Sequence, residues 1–573
     1  MASDTEAATA EAAVLETLGT PEALTRTVIA RFRPDDRRWK SVTIAILVAS
    51  PLIYGGVSQL LGQDVNWDLR NYHYFDPYWL LVNHMRDILP AQLQTYYSPF
   101  LDIPFYYSVN HLSPRWIAFL IAVVQGAAFP ILYLIGRQFT TRRLLALSLA
   151  ALGMCTSGAL AELGTILGDT LIAPLLLGAI LLGIRSVGGD PRVGRAPSRP
   201  VGWGFLAGGL AGIATGLKPS GLPIAVGVVV AILLITRGTR RRLTAFAAAA
   251  GGLAIGVIIT YGWWGYELWS RYRNPVLPYF NQFFHSAYAP SSPNTYPIPH
   301  GIPSILFGPV LWTLNPYRVN ETNFVELSLV FLELLLVVLV VSSAVRAVQA
   351  RAKPRLFDTD RQRFLVMAIV VSYLIWVLEF GLYRYFVPIE MLSFVAIFVC
   401  LQAMRTRIPI REFAGVATQL VIGAMVVIVL LCLSTEVPGG LGRSAWTSRT
   451  FSASIPSTLT TTPSAFLMLG LNPNAYVVPL FPSNDFFAGV QGNLPPTPLL
   501  QRQIIKDAAR YRRVYILWSD HPPRHASPLE VLESDTFTVR RYGYGVGWKR
   551  CMSFPAMVGA QAHQLHVCPL TKL

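Results

Sequence analysis

Runs of about twenty apolar residues recur along this chain, and nothing else in it restricts the fold so strongly. VTIAILVASPLIYGGVSQLL (42–61) and FAGVATQLVIGAMVVIVLLCL (413–433) are two of them. A helix of about 20 residues crosses a hydrocarbon core of about 30 Å. Lipid offers the backbone no hydrogen-bond partner, so each run must be a helix that satisfies its own amides and carbonyls. Charge agrees: 14% of the 573 residues are charged, against about 25% in a soluble domain. The pattern predicts about eleven spans, near 42–62, 116–136, 144–160, 170–184, 202–216, 221–236, 244–265, 325–345, 364–380, 385–404 and 413–434. Some 40 polar residues precede the first run, which therefore reads as an uncleaved first span behind an N-terminal tail, 1–41.

Lys and Arg set the orientation. With the N-terminus in the cytoplasm, 26 of the 47 basic residues fall on the cytoplasmic side, 8 in the opposite inter-span loops and 13 in the C-terminal tail. The net charge of +16 thus follows from membrane topology and does not imply a nucleic-acid partner. This reading gives a multi-pass protein of the bacterial inner membrane, with a transmembrane core over 42–434 and a periplasmic tail over 435–573.

Polar chemistry is concentrated on the outer side. All nine His fall in outer loops or the tail. Three outer segments, 63–115, 161–169 and 266–324, interrupt the core. In the tail, AYVVPLF (475–481) and RVYILWS (513–519) read as strands and LLQRQIIKDAARYR (499–512) as a helix between them, an α/β pattern. The stretch 452–464 reads as a linker. Cys551 and Cys568 share the tail, where an oxidising compartment permits a disulfide.

DVNWDLRNYHYFDPYWLLVNHMRDILP (64–90) is the most informative segment. Asp76 before Pro77 reads as a helix cap followed by a first-turn proline. Tyr78, Trp79, Val82 and Met85 then line one face of a short interfacial helix. Upstream, Asp64, Asp68, Arg70, Asn71, Tyr72 and His73 crowd the membrane surface just after the first span. Asp68 is the preferred general base, because a carboxylate there can take the proton of an attacking hydroxyl. Its structural alternative is an ion pair with Arg70 or a turn cap. Asp102, in SPFLDIPFYY, divides between the same two kinds of role.

Two carboxylates and two cations lie elsewhere on the same side. In AELGTILGD (161–169), Glu162 and Asp169 stand at a span mouth, where an acid is costly and often functional. Lys218 lies in TGLKPSGLP, a Gly/Pro break between two runs. It suits a phosphate, with a snorkelling lysine as the alternative. Arg384, in EFGLYRYFVPIEML, suits bidentate contact to a phosphate, with an ion pair to Glu379 or Glu390 as the alternative. There is no phosphate-binding Gly-rich loop, HExxH or CxxC, and the spacing of His73, His84 and His111 supports no zinc site.

Taken together, WDLRNYHYFDPY (67–78), PAQLQTYYSPFLDIPFYY (90–107), ELGTILGD (162–169) and YRYFVP (383–388) resemble the GT-C superfamily of integral-membrane glycosyltransferases, near the bacterial glycosyltransferase family 87. The resemblance covers residues 40–430. It implies an all-α polytopic membrane core with interfacial helices in the first outer loop, to which the tail adds a small α/β domain. It also implies a sugar donor carried on a polyprenyl phosphate, and a lipid or glycan acceptor. Transfer would proceed by an inverting single displacement, with no cofactor required and a divalent metal allowed but unsupported by the sequence. Asp68 would be the base, with Asp64, Asp102, Glu162 and Asp169 as acceptor-side or second acids. Arg384 and Lys218 would hold the donor phosphate, and Asn71, Tyr72, His73 and Tyr383 the sugars. Trp67 stands where the family often has a first acid of a pair, which leaves Asp64 and Asp169 as alternates for the base. A transporter or flippase of a lipid-linked or anionic substrate, or a lipid-linked glycan polymerase or ligase, is the competing class.

Overall fold

The computed structural model describes residues 37–188, 200–291, 301–320, 324–349, 356–405, 423, 425, 442–470, 472–519 and 536–573. Among these, eight helices are long and apolar enough to cross a membrane: Trp39–Ser58, Pro114–Gly136, Asp169–Val187, Pro200–Leu217, Thr239–Tyr272, Leu327–Gln349, Asp360–Glu379 and Tyr383–Met404. Two expected spans are shorter helices, Arg143–Met154 and Pro219–Ile235. The first of these stops at Met154, and the chain restarts as Ser157–Ala161. The expected span 413–434 lies outside the described residues apart from Gly423 and Met425. The Gly-rich span 202–216 forms a full helix. It presents Gly208 and Gly212 to the backbone of helix Thr239–Tyr272 at Ala249 and Leu253, and Gly216 to the Thr260 side chain, leaving no room for a Cβ. Small residues at this spacing let membrane helices approach closely where no hydrophobic effect drives association.

Two short strands, β1 (Gln63–Asp64) and β2 (Arg443–Ser444), pair antiparallel and tie the start of the first outer loop to the start of the tail. The tail folds into a seven-stranded mixed sheet of β3 (Phe451–Ala453), β4 (Ser464–Met468), β5 (Phe486–Gly489), β6 (Arg513–Ser519), β7 (Tyr544–Val546), β8 (Met552–Val558) and β9 (Gln561–Lys572). Their order is β3-β8-β9-β6-β4-β5, with β7 pairing β9. β4 runs parallel to β5 and β6, and the other pairs are antiparallel. Helix Pro498–Ala508 crosses from β5 to β6, as a parallel connection requires.

Three expectations about the tail and the first loop are corrected. AYVVPLF is not a strand: Ala475–Leu480 is a 3-10 turn containing Pro479, which cannot donate to a sheet ladder. The segment 452–464 is no linker, since it holds most of β3, a helical turn Ser457–Thr460 and the start of β4. Tyr78 and Trp79 do not face lipid. They are buried in one hydrophobic core that runs from Val65, Phe75 and Tyr96 of the outer loop to Phe466, Ile516 and Leu565 of the sheet. At the β5 edge, the Ile88 amide donates to Phe487 O at 3.0 Å and the Gly489 amide donates to Ile88 O at 2.8 Å. A second core fills the helical bundle.

Candidate active site

The residues that matter stand where the helices break. Asp64 builds the first break: its Oδ1 accepts from the Asn66 amide (3.1 Å) and Asn66 Nδ2 (2.7 Å), and its Oδ2 accepts from the Ile166 amide (3.0 Å). Asn66 Oδ1 in turn accepts from the Leu69 amide at 2.7 Å. Asp68 therefore opens a π-helical turn, Leu69–His73, of a kind that recurs at functional sites. The second break is Gly168, whose φ of +91° only glycine adopts freely and which starts the helix at Asp169. At the third, Pro219 keeps Lys218 extended between two helices. The fourth is the 3-10 turn Tyr383–Phe386, which carries Arg384.

These breaks bring four predicted residues together. Arg384 Nη1 lies 2.7 Å from Asp68 Oδ2, and Arg384 Nε lies 4.0 Å from Asp169 Oδ2. Lys218 Nζ is 2.9 Å from the same Asp169 oxygen and also donates to Leu167 O. Ser220 Oγ donates to Asp169 Oδ1 at 2.7 Å, and Tyr72 Oη donates to Asp68 Oδ2 at 3.3 Å. The Tyr385 ring lies beneath both cations, 5.4 Å from the Arg384 guanidinium carbon and 5.9 Å from Lys218 Nζ. Asp68 thus pairs with Arg384 rather than Arg70. Lys218 does not snorkel: its side chain is 13% exposed and turned onto Asp169. Glu390, the alternative partner for Arg384, accepts the Gly158 amide at 2.9 Å.

A second acidic group adjoins this one. His73 Nδ1 is 2.8 Å from Asp102 Oδ1, and the His73 ring packs 4.0 Å from that of Tyr72. Asp76 does not cap its helix, Phe75–Leu81; it sits buried in the first turn, and neither carboxylate oxygen has a hydrogen-bond partner among the described residues. Glu162 Oε2 accepts from the amide and the hydroxyl of Thr170, both at 3.0 Å. Gln125 braces this loop, donating to Glu162 O and accepting from the Gly164 amide.

Electrostatics divides the acids. Burial alone would push Asp68 up, but Arg384 first, then His73 and Lys218, outweigh it and hold the carboxyl below the usual range. Asp68 is therefore ionised at neutral pH. Burial, then the Asp169 charge, pushes Glu162 up to about 8. Burial, then Asp102, pushes Asp76 well above the ordinary aspartate value. Asp64 is raised by burial against the opposing pull of Arg443. One ionised carboxylate beside two fixed cations can deprotonate a hydroxyl while an anionic group binds alongside. Among the described residues, no group of three or more His, Cys, Asp or Glu is arranged to hold a metal ion.

The whole architecture has counterparts among solved structures. The mycobacterial arabinofuranosyltransferase AftD superposes at TM-score 0.50 with 16% identity, over 93% of this chain and 41% of AftD. The fold of this chain is therefore shared with part of that solved structure. ArnT from Cupriavidus metallidurans, bound to undecaprenyl phosphate, matches at TM-score 0.47 and 12% identity over 91% of this chain and 97% of its own. The oligosaccharyltransferase AglB from Archaeoglobus fulgidus, with an inhibitory peptide and a dolichol phosphate, matches at 0.40 and 13%, over 89% and 71%. The chain thus spans less than half the length of AftD. No protein-family model and no curated protein matches the sequence.

The remaining expected residues lie apart from the charged cluster. Asn71 Nδ2 donates to Gln94 Oε1 at 3.1 Å, and the same oxygen accepts from Asn493 of the tail at 3.1 Å. The Tyr383 ring packs 4.2 Å from Phe324 and 5.9 Å from Trp312, inside the bundle. Cys551, just before β8, and Cys568, in the interior strand β9, are joined by a disulfide. Sequence reasoning missed Ser220, although it lies two residues after Lys218 in the same broken loop. It also missed Arg443, which is half-buried and donates to Ala161 O (2.9 Å) and Leu163 O (2.7 Å), pinning the Glu162 loop to the tail. No pattern in the sequence marks Arg443.

Proposed function

We propose that this chain is a glycosyltransferase that moves a sugar from a polyprenyl phosphate to a hydroxyl of a lipid or glycan acceptor. The observation that carries the reading is the bridging of Asp68 and Asp169 by Arg384, with Lys218 beside it. The acceptor oxygen attacks the anomeric carbon from the face opposite the phosphate, and its proton passes to Asp68. The bond from that carbon to the phosphate oxygen breaks, its electron pair stays on the phosphate, and the anomeric centre inverts. Arg384 complements the charge that grows on the departing phosphate, which suits a preorganised cation, and Lys218 holds the donor phosphate as it binds. Asp169 and Ser220 orient Lys218, and Gly168 leaves room for it. The polyprenyl tail lies against apolar helix surface.

The same proposal puts the reaction on the periplasmic side of a bacterial inner membrane, with the N-terminus cytoplasmic. The asymmetry of Lys and Arg supports this, and so does the disulfide, since disulfides persist in oxidising compartments. The tail, 435–573, then forms a periplasmic domain. The test is reconstitution of purified protein with radiolabelled polyprenyl-phosphate hexoses and pentoses and membrane lipid or glycan acceptors. Transfer by wild type that disappears in Asp68→Asn, with thermal stability unchanged, establishes the reaction and its base. Transfer retained in the variant moves the base to Asp64 or Asp169. No transfer or donor hydrolysis from any donor sinks the enzyme reading and directs attention to flux of a lipid-linked substrate.

A further inference from the structure

Away from the charged cluster, a cavity of about 160 Å³ opens between the first outer loop and the tail. Its inner wall is Trp79 and Tyr96 of the loop and Tyr272 at the end of a long helix. Its outer wall is Gln503, Arg510 and Tyr511, on and just after helix Pro498–Ala508. Trp79 is 1% exposed, yet its indole N–H has no hydrogen-bond partner among the described residues. Buried donors are normally hydrogen-bonded, so this one calls for an acceptor from outside the described residues.

The lining defines the chemistry of what fits. Two carboxylates, Asp87 and Asp507, face two guanidiniums, Arg86 and Arg510, so the cavity selects neither an anion nor a cation. Asp87 is already committed, to His84 Nδ1 (2.9 Å) and the Phe487 amide (3.0 Å), and Asp507 is 3.3 Å from Arg510. Aromatic faces combined with amide, guanidinium and carboxylate groups suit a neutral polyhydroxylated ring, whose C–H face stacks while its hydroxyls take hydrogen bonds. Pockets for drug-sized ligands span about 300–1,000 Å³, so this volume suits a single sugar unit.

We infer that this cavity is a saccharide subsite, and that it holds a neutral sugar unit of the acceptor glycan while another unit is at Asp68. Only the second half of that statement rests on the glycosyl-transfer reading. One loop, 63–115, supplies residues to both sites, with Asp68 near its start and Trp79 and Tyr96 further along.

The test measures binding apart from catalysis. Full-length protein in nanodiscs is titrated with a panel of neutral pentose and hexose oligosaccharides, followed by saturation-transfer NMR and tryptophan fluorescence. The result expected is binding to wild type and to Asp68→Asn alike. Trp79→Phe, which keeps an aromatic ring but loses the indole N–H, and the rim variant Gln503→Ala should each weaken it about tenfold, the loss of one good hydrogen bond. Absence of binding by the whole panel overturns the inference, as does binding that both variants leave unchanged while their melting temperatures match wild type. Failure of the transfer reading shows separately, as saccharide binding without sugar transfer.

Discussion

Arg384 Nη1 sits 2.7 Å from Asp68 Oδ2, which joins the first outer loop to a turn far along the chain. A guanidinium clamped on the base has a consequence for binding: the donor phosphate must share Arg384 with Asp68. Asp68→Asn removes both the proton acceptor and the competing anion. Turnover should fall by about 10²–10⁴, the range for loss of a general base. Donor affinity should hold or rise. Single-turnover transfer and equilibrium binding of a labelled donor check the two halves, and a parallel loss of affinity and rate would show that Asp68 serves mainly to hold the donor.

Arg384→Lys keeps the charge but loses the planar fork that spans two carboxylates. A lysine cannot reach both Asp68 and Asp169, so kcat/KM should drop by about tenfold to a hundredfold, although the charge is conserved. Lys218→Met should act on donor KM more than on kcat, because Lys218 contacts Asp169 rather than the base. Steady-state kinetics over a donor series separates the two patterns. Identical behaviour of the two variants would remove the distinction drawn here.

Much of this site was legible because sidedness was legible. Runs of apolar residues and the placement of Lys and Arg put Asp68, Asp169, Lys218 and Arg384 at one end of the helices before any contact was known. What could not be read was the pairing. Asp68 has Arg70 two residues away and yet pairs with Arg384, because the π-turn and the closing of the bundle decide which cation it meets. The role of Asp64 was hidden for the same reason: its turn-building bonds reach Ile166 in another loop. Ala475–Leu480 misled because a short apolar run has no periodicity to tell a strand from a buried turn. The burial of Trp79 was invisible because interfacial anchoring and packing against a domain both favour an aromatic residue.

Gly168→Ala tests the fit around Lys218. A Cβ there would lie 3.2 Å from Lys218 Nζ and 3.0 Å from Leu101 Cδ2, at a φ of +91°. The left-handed backbone alone costs about 1–2 kcal/mol for a residue with a Cβ. The variant should melt lower and bind donor more weakly, as Lys218 is displaced. Thermal unfolding and donor binding together check it, and unchanged donor affinity would mean that Lys218 has room to move.

Breaking the disulfide should destabilise the tail. The bond closes a sequence separation of 17 residues, for which constraint of the unfolded chain contributes about 3 kcal/mol. Cys551→Ser should therefore lower the melting temperature of the sheet. Reductant should do the same to wild type and nothing further to the variant. Calorimetry with and without reductant decides it.

Glu162 makes stability depend on pH in a stated direction. Its carboxyl is held at about 8 in the fold, against 4.5 for an ordinary glutamate. Between these values the folded state keeps the proton and the unfolded chain has released it. Unfolding then releases protons, so stability falls as pH rises from about 4.5 and levels off above about 8. Glu162→Gln keeps an acceptor for Thr170 and cannot ionise, so it should flatten that part of the profile and be the more stable form at high pH. Melting curves at intervals across pH 5–9 for both proteins measure the difference. Parallel profiles would mean that Glu162 is ionised in the fold at neutral pH, and that Asp169 and Glu162 carry their two charges side by side at the mouth of the span.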